Sequence, residues 1–221
     1  MNIAEFQTWL KGHGQEIAVD GAAGPATRLA IVTAFQNKSA PAVTDDDVAR
    51  FAAEIGCSVK QVRAVARVES GGAAFDTAGR PKILYERHYF HRLTQGKWSV
   101  SSFSNPSGGG YAEDSWDKLV AAACRDPWAA FQSCSWGKFQ VMGANWNALG
   151  YASPLDMAWS MRESEAGHYE ALTRFVKVNG LADDMARLST NPADNEGFAK
   201  GYNGPGFRDF DYHHKLAAAM A

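Results

Sequence analysis

The chain has 221 residues, 46% of them apolar and 12% aromatic, with a formal net charge of −2. That is room for one large domain, or an ordinary domain with a small added unit, and enough apolar content for a core, which excludes a disordered chain. The balanced charge contains no basic blocks, which excludes a nucleic-acid partner held through its phosphates. No apolar run is long enough for a membrane span, and residues 1–16 (MNIAEFQTWLKGHGQE) lack a basic leader and an apolar stretch, so neither membrane insertion nor a secretory signal is expected. Cys57, Cys124 and Cys134 are odd in number and lack metal-type spacing, which points to free thiols in a protein made in the cytosol.

Residues 1–38 read as a unit of their own. Ile3, Phe6 and Leu10 have helical spacing that Gly12 and Gly14 end. A turn-rich stretch from Val19 leads to Pro25, which opens a second helix running to about Gln36. Phe6, Leu10, Leu29 and Phe35 are its expected core. Residues 39–46 form a linker around Pro41, and so small a unit is expected to lean on the domain that follows, residues 47–221.

That domain reads as α-rich with at most a small sheet. Thr44 caps a helix whose first turn carries Asp45, Asp46 and Asp47, and Gly56 stops it. Ser58 and Gln61 then form a capping box for a helix over 59–69. Residues 79–91 are β-rich and predict a short hairpin, followed by a Ser/Gly loop over 99–111. Helices follow at about 113–125 and 127–133, then a single long one from Ser153-Pro154 to about Val178. Asn191-Pro192 opens another, and Tyr202-Asn203-Gly204-Pro205-Gly206 predicts a sharp turn before a last helix near 208–219.

Glu69 stands out on physical grounds. It shares one helix face with Val62, Val65 and Ala66, so it lies on the stripe that faces the interior, and Ser70-Gly71-Gly72 stops the helix behind it. Partial burial and the negative end of the helix dipole both disfavour its charged form, which raises its pKa toward that of a general acid working near neutrality. The competing reading is a solvated residue of a last helical turn.

Five segments then carry a resemblance. Val68-Glu69-Ser70-Gly71-Gly72 resembles the Glu-Ser-x-Gly signature of the lysozyme-like superfamily, which holds goose-type lysozymes and lytic transglycosylases. The stretch Ser133 to Gly143 (SCSWGKFQVMG) resembles its Gly-x-x-Gln-(Val/Ile)-Met segment, and Ala199-Lys200-Gly201-Tyr202-Asn203-Gly204 its Ala-x-x-Tyr-Asn segment. Ile83-Leu84-Tyr85-Glu86-Arg87-His88 and Gly109-Gly110-Tyr111 are similar to segments of the phage-endolysin N-acetylmuramidase family. The resemblance implies a lysozyme-like, mainly α fold and hydrolysis of the MurNAc-β-1,4-GlcNAc bonds of peptidoglycan. Glu69 matches the catalytic acid, and Gln140, Tyr202 and Asn203 match groove positions; Tyr111 and Trp136 join them as expected substrate-binding residues. A lytic transglycosylase using the same Glu69, and a non-catalytic wall-binding protein, remain alternatives.

Glycoside hydrolysis needs a proton donor and support for an oxocarbenium-like centre, and the second role can fall to a carboxylate base that activates water across the ring. Glu86 is the candidate, expected on the hairpin; the rival reading pairs it with Arg87 or Arg92. Tyr202 and Asn203 are equally compatible with structural turn positions. The N-terminal unit resembles the helical peptidoglycan-binding domain through Val19-Asp20-Gly21-x-x-Gly24-Pro25-x-Thr27, which implies wall contacts at Asp20, Gly21, Gly24 and Thr27. His88 and His91 have a spacing that hints at zinc, but zinc pairs on helices prefer an offset of four, and this segment reads as β or loop. No metal or organic cofactor is therefore expected. The reading is a monomeric phage endolysin that stays in the host cytoplasm until a holin releases it to the periplasmic wall.

Overall fold

The computed structural model describes residues 1–70 and 73–221, and of Ser70 the backbone alone. The stop signal at Ser70-Gly71-Gly72 thus lies largely outside the described residues. In chain order the helices α1 (Ile3–Gly12), α2 (Pro25–Ala34), α3 (Asp45–Ile55) and α4 (Val59–Ser70) precede strand β1 (Ile83–Tyr85). Helices α5 (Arg87–Leu93), α6 (Ser115–Ala123) and α7 (Pro127–Gln132) lead to strands β2 (Cys134–Trp136) and β3 (Val141–Met142). The chain ends in α8 (Pro154–Glu163), α9 (Glu165–Val178), α10 (Ala182–Ala186), α11 (Glu196–Asn203) and α12 (Tyr212–Ala219).

Local chemistry explains where several helices begin. The Thr44 hydroxyl accepts from the Asp47 amide, and the Asp47 carboxylate accepts from the Thr44 amide, closing the capping box of α3. Gly56, at φ +85°, ends that helix in the left-handed region that glycine enters without strain. The Ser58–Gln61 box opens α4, and Gln61 Nε2 also donates to the carbonyls of Ala186 and Leu188, fastening α4 to the far end of the chain.

Two expected elements form differently. Residues 79–91 do not make a hairpin: β1 pairs antiparallel with β2 (Ile83 opposite Trp136, Tyr85 opposite Cys134), and β2 with β3. From Arg87 onward the segment is helix α5, which turns Phe90 into the core against Phe103 and leaves its histidines and arginines half-buried or exposed. The His88–His91 pair is therefore helical, at an offset of three. Among the described residues no cluster of three or more histidine, cysteine or acidic side chains is placed to hold a metal.

The long helix expected over 154–178 is two helices. Ser164 is extended (φ −162°, ψ 160°) and its side chain caps α9 by accepting from the Gly167 amide. A Cβ on Gly167 would lie 2.0 Å from the Ser160 carbonyl oxygen, so glycine there lets α9 fold back against α8. The break also presents the start of α9 to the segment after the N-terminal unit. Glu165 N donates to the Pro41 carbonyl, and Val43 N donates to the Glu165 carboxylate.

The N-terminal unit shares its core with the rest of the chain. Phe35 packs against Trp116, Phe131, Trp136 and Trp159 at ring distances of 5.4–6.0 Å, and Phe6 meets Phe131 edge-on. Leu29, expected in that core, is 68% exposed, because α2 turns Ala30, Ile31 and Ala34 inward instead. Within the unit, buried Gln7 ties the turn together. Its Nε2 donates to Asp20, Thr27 and the Ala22 carbonyl, and its Oε1 accepts from the Asp20 and Gly21 amides. Thr27 is thereby buried and serves the turn, while Asp20, Gly21 and Ala22 stay exposed.

The cysteines are free thiols, and burial pushes that of Cys57 up to about 11. No helix among the described residues is long and apolar enough to cross a membrane.

Candidate active site

Glu69 sits in the last turn of α4, whose inner face is anchored by buried Val62, Val65 and Ala66. Burial pushes its carboxyl up to about 7, against the opposing pull of a hydrogen bond from Asn203 and the positive charge of Lys215. Asn203 Nδ2 donates to Glu69 Oε1 at 3.3 Å from the C-terminal residue of α11.

Two cavities meet at this carboxylate. One, of about 420 Å³, is bounded by Asp76, Lys82, Ile83, Leu84, Asp114 and Trp116. The other, of about 330 Å³, is walled by Phe139, Val141, Met142, Phe175, Tyr202 and Tyr212. Glu69 and Gln140 line both, so they stand where the two halves of a groove join. Volumes of this size suit small-ligand sites.

The turn between β2 and β3 carries Gln140 to that junction. Gln140 adopts φ +50°, and its Nε2 donates to the Gly137 carbonyl at 2.8 Å. Beneath it, buried His168 accepts from the Lys138 amide through Nδ1 and contacts the Met161 carbonyl through Nε2. Burial holds this imidazole down at about 4, so it is neutral, and the accepting Nδ1 places the proton on Nε2. Gly137 is required here twice over: its φ is +70°, and a Cβ would lie 2.1 Å from His168 Nδ1. Gly137→Ala should therefore cost about 3 kcal/mol or more and raise KM, as read from thermal melts and initial rates on cell-wall substrate.

Tyr202 and Asn203 end α11, and the sharp turn starts only at Gly204, whose φ is +80°. The Tyr202 hydroxyl donates to the Phe139 carbonyl at 2.7 Å, and its ring stacks on Phe198 and meets Phe175 edge-on. It forms wall rather than free surface. Tyr212, Asn145 and Phe175 complete the second cavity, and nothing in their local sequence marked them.

Trp136, expected among the substrate-binding residues, belongs to the core. It is completely buried, stacks on Phe131 at 5.5 Å and donates its indole N–H to the Phe131 carbonyl. The tryptophan that does border the groove is Trp116, with the Arg80 guanidinium over its ring.

Glu86 is the N-cap residue of α5 rather than part of a hairpin, two residues beyond Leu84 of the groove wall. Glu86 itself lines neither cavity. Its Oε2 accepts from the Tyr111 hydroxyl at 2.9 Å and lies 3.2 Å from His88 Nδ1. Neither arginine neighbour pairs with it. Arg87 donates to the carbonyls of Ser101, Ser107 and Gly108 and so tethers the Ser/Gly loop, and Arg92 stacks over Tyr89. That tether brings Tyr111, on the far side of the loop, to Glu86.

The N-acetylmuramidase family model matches residues 58–221, a stretch that contains every residue of the groove. No curated protein sequence matches the chain. Among solved structures, the crystal structure of the Burkholderia AP3 phage endolysin superposes with a TM-score of 0.74 at 30% identity. That match covers 99% of this chain and 92% of the other, N-terminal unit included. A helix-rich fold with a small antiparallel sheet, a half-buried glutamate at the centre of its groove, and a family match over most of its length together place the chain: it belongs to the N-acetylmuramidase family.

Proposed function

We propose that this lysozyme-type glycoside hydrolase of peptidoglycan uses Glu69 as its general acid on the MurNAc-β-1,4-GlcNAc bond. The observation that carries the proposal is the position of Glu69, a half-buried carboxylate where the two cavities meet. With its pKa near 7, much of the population holds a proton at neutral pH to give to the leaving oxygen. Once that proton has left, the Asn203 amide and the charge of Lys215 favour the carboxylate that remains. Gln140 and the aromatic wall of the second cavity position the sugar rings.

Glu86 is proposed as the second carboxylate. The Tyr111 hydroxyl donates to its Oε2, which orients the group as a base is oriented by a third residue. Glu86→Gln should then lower kcat by about 10²-fold or more with the melting temperature little changed. Full specific activity in a destabilised Glu86→Gln protein would instead make Glu86 structural. A lytic transglycosylase needs no second carboxylate, and the absence of Glu86 from both cavity walls favours that rival. Mass spectrometry of the released muropeptides decides, because an anhydro end is lighter by one water than a hydrolysed one.

The wider proposal is a phage endolysin that lyses its host as a monomer, after a holin opens the membrane from the cytoplasmic side. The carboxylates and water suffice for the chemistry, with no metal or organic cofactor. Residues 1–38 serve as the wall-binding unit, with Asp20, Gly21 and Gly24 at its accessible turn and Thr27 holding that turn in shape.

A further inference from the structure

We propose that the cavity on the β1 side of Glu69 receives the peptide stem of a muramyl residue, and that Lys82 reads a carboxylate of that stem. The proposal rests on the reading of Glu69 as the residue against which the scissile bond lies.

The two halves of the groove differ in chemistry. The second cavity is bounded by aromatic and aliphatic side chains with Asn145 and Asn203, and Glu69 is its one charged wall residue among those described. It suits sugar faces and acetamido methyl groups, and a charged peptide there would lose water without gaining partners. The first cavity brings Asp76, Lys82, Asp114 and Lys138 together around the same glutamate. Two of these charges are already committed. Asp76 is paired with Arg80 at 2.8 Å and accepts the Ala78 and Arg80 amides, and Lys138 Nζ lies 3.0 Å from Glu165.

The other two are not. Asp114 accepts from the Asp117 amide at the start of α6 and pairs with no cation among the described residues. Lys82 is exposed, and among the described residues its ammonium makes no ion pair. Its backbone is nonetheless held firmly: Lys82 N donates to the Ala74 carbonyl, and the Lys82 carbonyl accepts from Gly137 N. An available cation and an available anion thus flank the catalytic position on one side only. The muramyl residue is the sugar that bears charge, since the peptide on its lactyl ether carries free carboxylates and, where uncrosslinked, an amine. Lys82 matches the carboxylates and Asp114 the amine.

The test compares the full-length wild type and Lys82→Met on three soluble glycan preparations: strands bearing their stems, the same strands with stem carboxylates amidated, and strands stripped by an amidase. Wild type should show a KM on stem-bearing strands about two- to fivefold below that on the other two, the range expected of an exposed ion pair. Lys82→Met should bring that selectivity close to one, and Lys82→Arg should restore it. Equal KM values for wild type on all three preparations would overturn the proposal, as would an unchanged selectivity in Lys82→Met. An effect of Lys82→Met concentrated on stripped strands would assign the residue to the lactyl carboxylate and overturn it too. Failure of the underlying reading shows separately: Glu69→Gln cleaving stripped strands at the wild-type rate would remove the scissile bond from this groove and the stem cavity with it, whereas flat selectivity beside an inactive Glu69→Gln overturns the stem cavity alone.

Discussion

Glu69→Gln should lose about 10²–10⁴-fold or more in turnover while melting higher than wild type at pH 8 and equally at pH 4. Glutamine keeps the shape and can still accept from Asn203, but it has no proton to donate. The stability effect follows from the direction of the pKa shift. The folded carboxyl titrates at about 7 against an ordinary 4.5, so the folded state disfavours the charge more than the unfolded chain does. Below pH 4.5 both states are protonated and the residue carries no such penalty. Between 4.5 and 7 the penalty grows, and above 7 it is complete, of order 3 kcal/mol at most. Glutamine escapes it, so its advantage should appear over that window as a rise of several degrees in Tm. The same titration predicts an alkaline limb in the pH–rate profile near 7, missing from the residual activity of the variant. Wild-type cleavage by Glu69→Gln would remove Glu69 from the role of acid; a uniform loss of stability at every pH would contradict a carboxylate whose charge the fold disfavours.

The second large effect lies in the core behind the groove wall. Phe35→Ala should cost about 3–5 kcal/mol, the range for a completely buried phenylalanine, and lower Tm by about 10 °C in a chain of this size. Phe35 belongs to the N-terminal unit, yet its partners Trp116, Phe131, Trp136 and Trp159 lie in the body of the enzyme. Calorimetry should accordingly show one cooperative transition moving down as a whole. Two transitions, with only the smaller displaced, would mean that the unit and the catalytic body unfold independently. Polar ties support the single transition: Arg162 donates to the carbonyls of Ala34 and Gln36, and Asn37 N donates to the Gly79 carbonyl.

What was legible before folding was what local chemistry decides. The capping boxes at Thr44 and Ser58 and the glycine stop at Gly56 each involve residues within a few positions of one another, so their types and spacing suffice. Glu69 was legible for a related reason. Helical periodicity alone placed it on the stripe with Val62 and Val65, and a carboxylate on that stripe has to be buried or strained. The hairpin over 79–91 failed because the partner of β1 is β2, some fifty residues on, and no local pattern names so distant a strand. The helix break at Ser164 was hidden in the same way, since helix-compatible residues run through it and the contact of Gly167 with Ser160 decides it.

By itself, then, the sequence determined the helical class of this protein, the caps that start its helices, and a glutamate whose place on an apolar stripe makes it the candidate acid. Only the tertiary structure decided which partners meet. It buried Trp136, drew Tyr111 across a tethered loop to Glu86, merged the first 38 residues into the common core, and divided the groove at Glu69 into a charged half and an apolar half. The physical reason is range. Caps and periodicity act within a turn or two of the chain, whereas burial and the electrostatics of a cleft are set by side chains that only the packed fold brings to within a few ångströms.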